Sequence, residues 1–144
     1  MLISPRFIRI KPQQWSKILI DVQEKYPEEA CGLILGIIEQ ENYKAVEVYP
    51  TTNQSHSTTR YQIDPYEMLR VFHLMEEKQM ELVAIYHSHP KGPNTLSQTD
   101  IKKAYYPESI YILLSKESQE WQSYAFIIQE GLVKEIPILI DQPS

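Results

Sequence analysis

The apolar positions of this chain fall into short runs, and their spacing changes from run to run. FIRI, residues 7 to 10, reads as a short strand. Trp15, Ile18, Leu19, Val22 and Tyr26 then recur at helical spacing, which predicts an amphipathic helix over residues 12 to 26. Pro12 suits its first position and Pro27 ends it. CGLILGII is an apolar run of strand length, QEN a turn, and YKAVEVYP a second strand pairing back. The polar stretch TTNQSHSTTR reads as a loop. Asp64-Pro65 is a helix start, a cap followed by a proline in the first turn. Met68, Leu69, Phe72 and Met75 supply the apolar face of a helix over residues 65 to 79. LVAIYHSH is a strand that Pro90, Gly92 and Pro93 break. A short helix is expected over residues 98 to 105, with Ile101, Ala104 and Tyr105 facing inward. SIYILLS is another buried strand, and SYAFIIQ and LVKEIPILI form a hairpin around Glu130-Gly131.

The order β-α-β-β-α-β-α-β-β-β implies an α/β fold, a mixed β-sheet flanked by helices. No repeat, low-complexity tract or linker divides the chain, so residues 1–144 are expected to form a single domain. The net charge of −5 and the pI near 5.4 argue against nucleic acid as the main partner, which needs a basic stripe. No run approaches the roughly 18 apolar residues of a membrane span. The start, MLISPRFIRI, has no basic segment followed by a long apolar core. Cys31 is the one cysteine, so no internal disulfide can form, and a cytoplasmic location is the expectation.

The chemistry concentrates in HSHPKGPNTLSQTD, residues 87 to 100. On a strand, His87 and His89 point to one face and Ser88 to the other. Two imidazoles on one face can bind one metal ion, and the loop is long enough to fold Asp100 back toward them. Three protein ligands with a fourth position open for water is the usual catalytic zinc arrangement. Ser97, three residues before Asp100, shares its helix face and can aim at a developing oxyanion. A hydrolase also needs a proton acceptor. The candidates are Glu28 and Glu29 in YPEEACG, where a carboxylate enters a buried strand.

Each part has a plainer reading. Ser97-Gln98-Thr99-Asp100 fits a helix cap, which is compatible with a site. His87 and His89 can be polar residues at a strand end, and Glu28 and Glu29 a solvated helix terminus. Cys31 suits packing, and His56 and His73 match no motif. Trp15 and Trp121 receive no role beyond packing.

Taken together, His87-x-His89, seven residues, then Ser97-x-x-Asp100 resembles the signature of the JAMM (MPN-domain) metallopeptidases. Glu29-Ala30-Cys31-Gly32 resembles the first motif of the same family. The Asn53 loop before an Asp-Pro helix start is similar to its compact bacterial members. The likeness runs from about Trp15 to Ile128, and no motif position is substituted. It implies a cytidine-deaminase-like α/β fold and one zinc ion per chain. It also implies His87, His89 and Asp100 as zinc ligands, and Glu29 as general base, chosen over Glu28 by its place two residues before Cys31. Ser97 would stabilise the tetrahedral intermediate.

The resemblance further implies hydrolysis of a peptide or isopeptide bond after the Gly-Gly tail of a ubiquitin-like or sulfur-carrier protein. A Gly-Gly tail is thin enough to lie extended in a narrow groove. Pro90 to Leu96 and the segment around Asn53 are the expected groove walls. Two alternatives stand beside this: a non-catalytic MPN-type module that binds a ubiquitin-like partner, and a zinc hydrolase of small peptides. A nucleobase deaminase is excluded, because one cysteine cannot supply Pro-Cys-x-x-Cys. His-Glu-x-x-His is absent too. Monomer and homodimer both remain open.

Overall fold

A computed structural model describes residues 4–142. The elements are β1 Phe7–Ile10, α1 Pro12–Lys25, β2 Cys31–Glu39, β3 Asn42–Thr51, α2 Pro65–Lys78, β4 Glu81–His89, α3 Gln98–Lys102, β5 Ile110–Lys116, β6 Trp121–Gln129, β7 Leu132–Ile136 and β8 Ile138–Ile140. All eight strands join one mixed sheet in the order β7-β6-β5-β4-β2-β3-β1-β8. This is the α/β class expected from the element order.

Two cores lie on opposite faces of the sheet, and strand alternation decides which residue enters which. On β4, Ala84 and Tyr86 join the core beneath α1, while Ile85 joins the core beneath α2 and α3. On β5, Ile110, Ile112 and Leu114 face α1, and Tyr111 and Leu113 face the other helices. The same period of two carries His87 and His89 to the α2–α3 face and Ser88 to the α1 face. Each fully buried Leu or Ile contributes roughly 1.5–3 kcal/mol of transfer free energy, so this partition is strongly enforced.

The C-terminal segment departs from the expected hairpin. LVKEIPILI is two strands, not one. β7 pairs antiparallel with β6, and β8 pairs in parallel with β1 at the opposite edge. Only Pro137 lies between them, and one residue spans at most about 3.6 Å. The sheet therefore curls until its edges approach. Residues near both edges, Ile8 and Ile136, meet in the core around α1, which places that helix inside the curl. Pro137 lacks an N–H for a ladder, and its carbonyl accepts from Ile8 N at 3.2 Å.

Three smaller expectations also change. α3 ends at Lys102, and Tyr105 is 71% exposed instead of inward, while Ile101 and Ala104 do pack. Pro107 follows closely and disfavours helix at the residue before it. On α2, Val71 is buried and Leu69 is 60% exposed, so the inner face is shifted from the one expected. Tyr26 lies just past the end of α1 and is 44% exposed. The start of α2 is as read: Asp64 Oδ1 accepts from Tyr66 N at 2.8 Å and Glu67 N at 3.3 Å.

β2 and β4 run antiparallel with Cys31 opposite His87 and Gly32 opposite Tyr86. The Tyr86 ring lies so close over Gly32 that any Cβ there would overlap it. That ring cannot retreat. It is fully buried, and its hydroxyl donates to Asp21 Oδ2 at 2.7 Å. Asp21 Oδ1 also accepts from Lys25 Nζ at 2.7 Å. Gly32→Ala is therefore expected to lower stability by about 1–3 kcal/mol, read as a lower urea midpoint.

Candidate metal centre

Four side chains named from the sequence converge at the C-terminal end of β4. His87 Nε2 and His89 Nε2 each lie 3.2 Å from the same atom, Asp100 Oδ2. Asp100 reaches them because it begins α3 beneath its own cap. Ser97 N donates to Asp100 Oδ2 at 2.9 Å, and Ser97 Oγ accepts from Asp100 N at 3.0 Å. The cap and the site thus share one carboxylate oxygen. The loop between them turns at Gly92, whose φ of +72° suits a residue without Cβ. Pro93 O then accepts from His89 Nδ1 at 2.8 Å.

Glu29 arrives from the neighbouring strand. Ser88, on the opposite face, closes the β2–β4 pairing by two bonds. Its Oγ accepts from Ala30 N at 2.8 Å and its N donates to Ala30 O at 3.0 Å. Glu29 N donates to Ser57 O at 2.9 Å, and Glu29 O accepts from Asn53 Nδ2 at 3.0 Å. With its backbone held at both ends, the Glu29 side chain is only 2% exposed, and Oε1 has no hydrogen-bond partner among the described residues. Glu29, His87 and His89 offer ligand atoms within 4.8 Å of one another. Glu28, by contrast, has a side chain 41% exposed and paired with His56 at 3.4 Å.

The electrostatics follow from burial. Burial pushes the Glu29 carboxyl up to about 7, with His89 opposing the rise. Burial also lowers His87, keeping its imidazole neutral and fit to be a ligand, although Asp100 pulls the other way. For His89, burial acts downward, but the bonds to Asp100 and Pro93 O outweigh it and raise the pKa. Asp100 is buried too, yet the two histidines hold it well below the usual carboxylate range.

These residues fit a zinc ion. Ligand bonds of 2.0–2.2 Å in a tetrahedron place neighbouring donor atoms about 3.3–3.6 Å apart. The contacts of Asp100 Oδ2 with both Nε2 atoms have nearly that length. Glu29, also within 4.8 Å of both histidines, keeps one carboxylate oxygen without a hydrogen-bond partner among the described residues.

Two neighbours carry no motif. Tyr61 stacks on His87 with ring centroids 4.4 Å apart. It sits just past the stretch read only as polar loop, where no local pattern reveals its role. Tyr61 and Asp100 also line a cavity of about 330 Å³ bounded by Ile63, Met68, Lys103 and Tyr106. Arg60, Gln62 and Pro65 also line this cavity, and Pro90 to Leu96 do not. A second hollow of about 400 Å³, between α3 and Gly131, touches none of the four site residues.

Comparison with known proteins agrees with the resemblance read from the motifs. The family model described as prokaryotic homologs of the JAB domain matches residues 12–127. A CysO-cysteine peptidase of Mycobacterium tuberculosis is 33% identical over 114 residues, covering 78% of this chain and 77% of that protein. A desampylase of Pyrococcus furiosus is 25% identical over 132 residues, covering 92% and 90%. The solution structure of a Desulfitobacterium hafniense protein superposes with a TM-score of 0.86 at 27% identity, covering 94% of each chain.

Proposed function

The chain belongs to the family of prokaryotic JAB-domain homologues, and on that premise we propose that it is a zinc metallopeptidase. Its substrate is a ubiquitin-like or sulfur-carrier protein, cut at the peptide or isopeptide bond that follows a C-terminal Gly-Gly tail. The observation that carries the reading is the meeting of two imidazole nitrogens on one aspartate oxygen, each at 3.2 Å, close to the separation of two ligand atoms on one zinc ion. His87, His89 and Asp100 would hold the ion, one per chain. When bound, zinc acts as a Lewis acid that activates water and polarises the scissile carbonyl.

The remaining work falls to the chain's own groups. Glu29 accepts the proton of the attacking water and returns it to the leaving amine. Its unpartnered Oε1, close to both histidines, suits that role. Ser97 Oγ accepts from Asp100 N, which leaves its O–H to donate to the oxyanion of the tetrahedral intermediate. Both histidines and Glu29 are buried, which suits a thin tail such as Gly-Gly reaching the site. Relatives named for a CysO-cysteine peptidase and for a desampylase support a carrier-protein substrate. A single buried cysteine suits a reducing cytoplasm. Among the described residues no helix is long and apolar enough to cross a membrane.

The test is a carrier-protein fusion extended beyond its Gly-Gly tail. Cleavage is expected to stop when a chelator strips the metal and to return with added zinc. A fusion with Ala-Ala in place of Gly-Gly should resist cutting. Undiminished cleavage by metal-free protein would refute the mechanism.

A further inference from the structure

We propose that Tyr61 is a positioning residue for His87, its stacked ring fixing an imidazole that lacks the second hydrogen bond a metal-ligating histidine normally has. The inference rests on the metal reading above. A histidine that binds a metal through one nitrogen usually donates its other N–H to a carbonyl or carboxylate, which sets the tautomer and the ring orientation. His89 follows this pattern: Nε2 faces Asp100, and Nδ1 bonds Pro93 O. His87 does not. Its Nε2 faces Asp100, while its Nδ1 is buried with no partner among the described residues. One in-plane bond leaves the ring free to turn about that axis.

Packing supplies what the missing bond does not. The Tyr61 ring covers His87 with planes 22° from parallel. The His89 ring meets it nearly edge-on, with centroids 5.0 Å apart and planes at 68°. His87 thus packs against two rings, of which only His89 is proposed as a ligand. Tyr61 can serve because its own backbone is clamped. Asn53 Nδ2 donates to Arg60 O on one side, and Asn53 Oδ1 accepts from Gln62 N on the other, both at 3.0 Å. Asn53 Nδ2 also donates to Glu29 O, so one buried amide sets the base and the stacked ring together. The Tyr61 hydroxyl makes no hydrogen bond among the described residues, which leaves the ring as the working part.

The test compares zinc affinity, by chelator competition, in the wild type, Tyr61→Phe and Tyr61→Leu. Phenylalanine keeps the ring and should bind zinc as the wild type does. Leucine should bind about ten-fold more weakly or worse, as loss of an outer-shell partner does. In cobalt-substituted protein, the shifted N–H proton of His87 should persist in the phenylalanine variant and be lost to solvent exchange in the leucine variant. That of His89 should persist in all three. Equal zinc affinity in all three proteins would overturn the proposal and leave the metal reading intact. So would loss of affinity in the phenylalanine variant, which would assign the effect to the hydroxyl. Should the leucine variant not fold, the wild-type cobalt protein decides: a His87 N–H exchanging as fast as a free imidazole overturns the role, and a protected one supports it. A wild type that binds no zinc would instead overturn the metal reading itself.

Discussion

Glu29→Gln is expected to keep zinc and to lose turnover by about 10²–10⁴-fold, the usual contribution of a positioned acid–base group. The amide has the carboxylate's shape but cannot take a proton from water. The backbone bonds of Glu29 to Ser57 O and Asn53 Nδ2 do not involve the side chain, so the local fold should survive. The His87 and His89 contacts with Asp100 are untouched as well. Metal analysis beside a cleavage assay checks both halves, and unchanged turnover would remove Glu29 as the base. Stability gives a second readout. In the metal-free protein the carboxyl's folded pKa, about 7, exceeds its ordinary 4.5. The folded state then binds the proton more tightly, so stability falls as pH rises across that window. The glutamine variant has no such group. Its stability relative to the wild type should therefore rise from pH 4.5 to about 7 and level off above.

Asp100→Ala should weaken zinc binding by more than the roughly 10–100-fold that loss of an outer-shell partner costs. One oxygen there accepts from Ser97 N and meets both imidazoles, so its removal strips a ligand and half of the α3 cap together. The Nε2 atoms of two buried histidines would lose the acceptor they share. Chelator competition measures the loss. An unchanged zinc affinity would show that the third ligand is elsewhere, with Glu29 the next oxygen donor in reach.

What the sequence discloses is uneven, for physical reasons. The shared face of His87 and His89 follows from strand alternation alone. The approach of Asp100 follows from Ser-x-x-Asp, since a capping box must fold that carboxylate back onto Ser97 N. The choice between Glu28 and Glu29 needed the family motif, because both precede the same strand. The structure supplies the physical difference: Glu29 is 2% exposed and Glu28 points out to His56. Tyr61 was illegible, because its stacking on His87 depends on a clamp by Asn53 and on a strand distant in sequence. Leu69 fitted helical spacing as well as Val71 does, and only the angle at which α2 meets the sheet separates them. Pro137 was the missed signal: a residue without an N–H interrupts a ladder, and here the chain passes from one sheet edge to the other at that point.

Zinc-edge anomalous diffraction from crystals of the purified protein tests the metal centre most directly. One peak per chain, bonded to His87, His89 and Asp100 with Glu29 outside bonding distance, is the expected result. No peak there, or a peak that takes Glu29 in place of Asp100, would contradict the assignment.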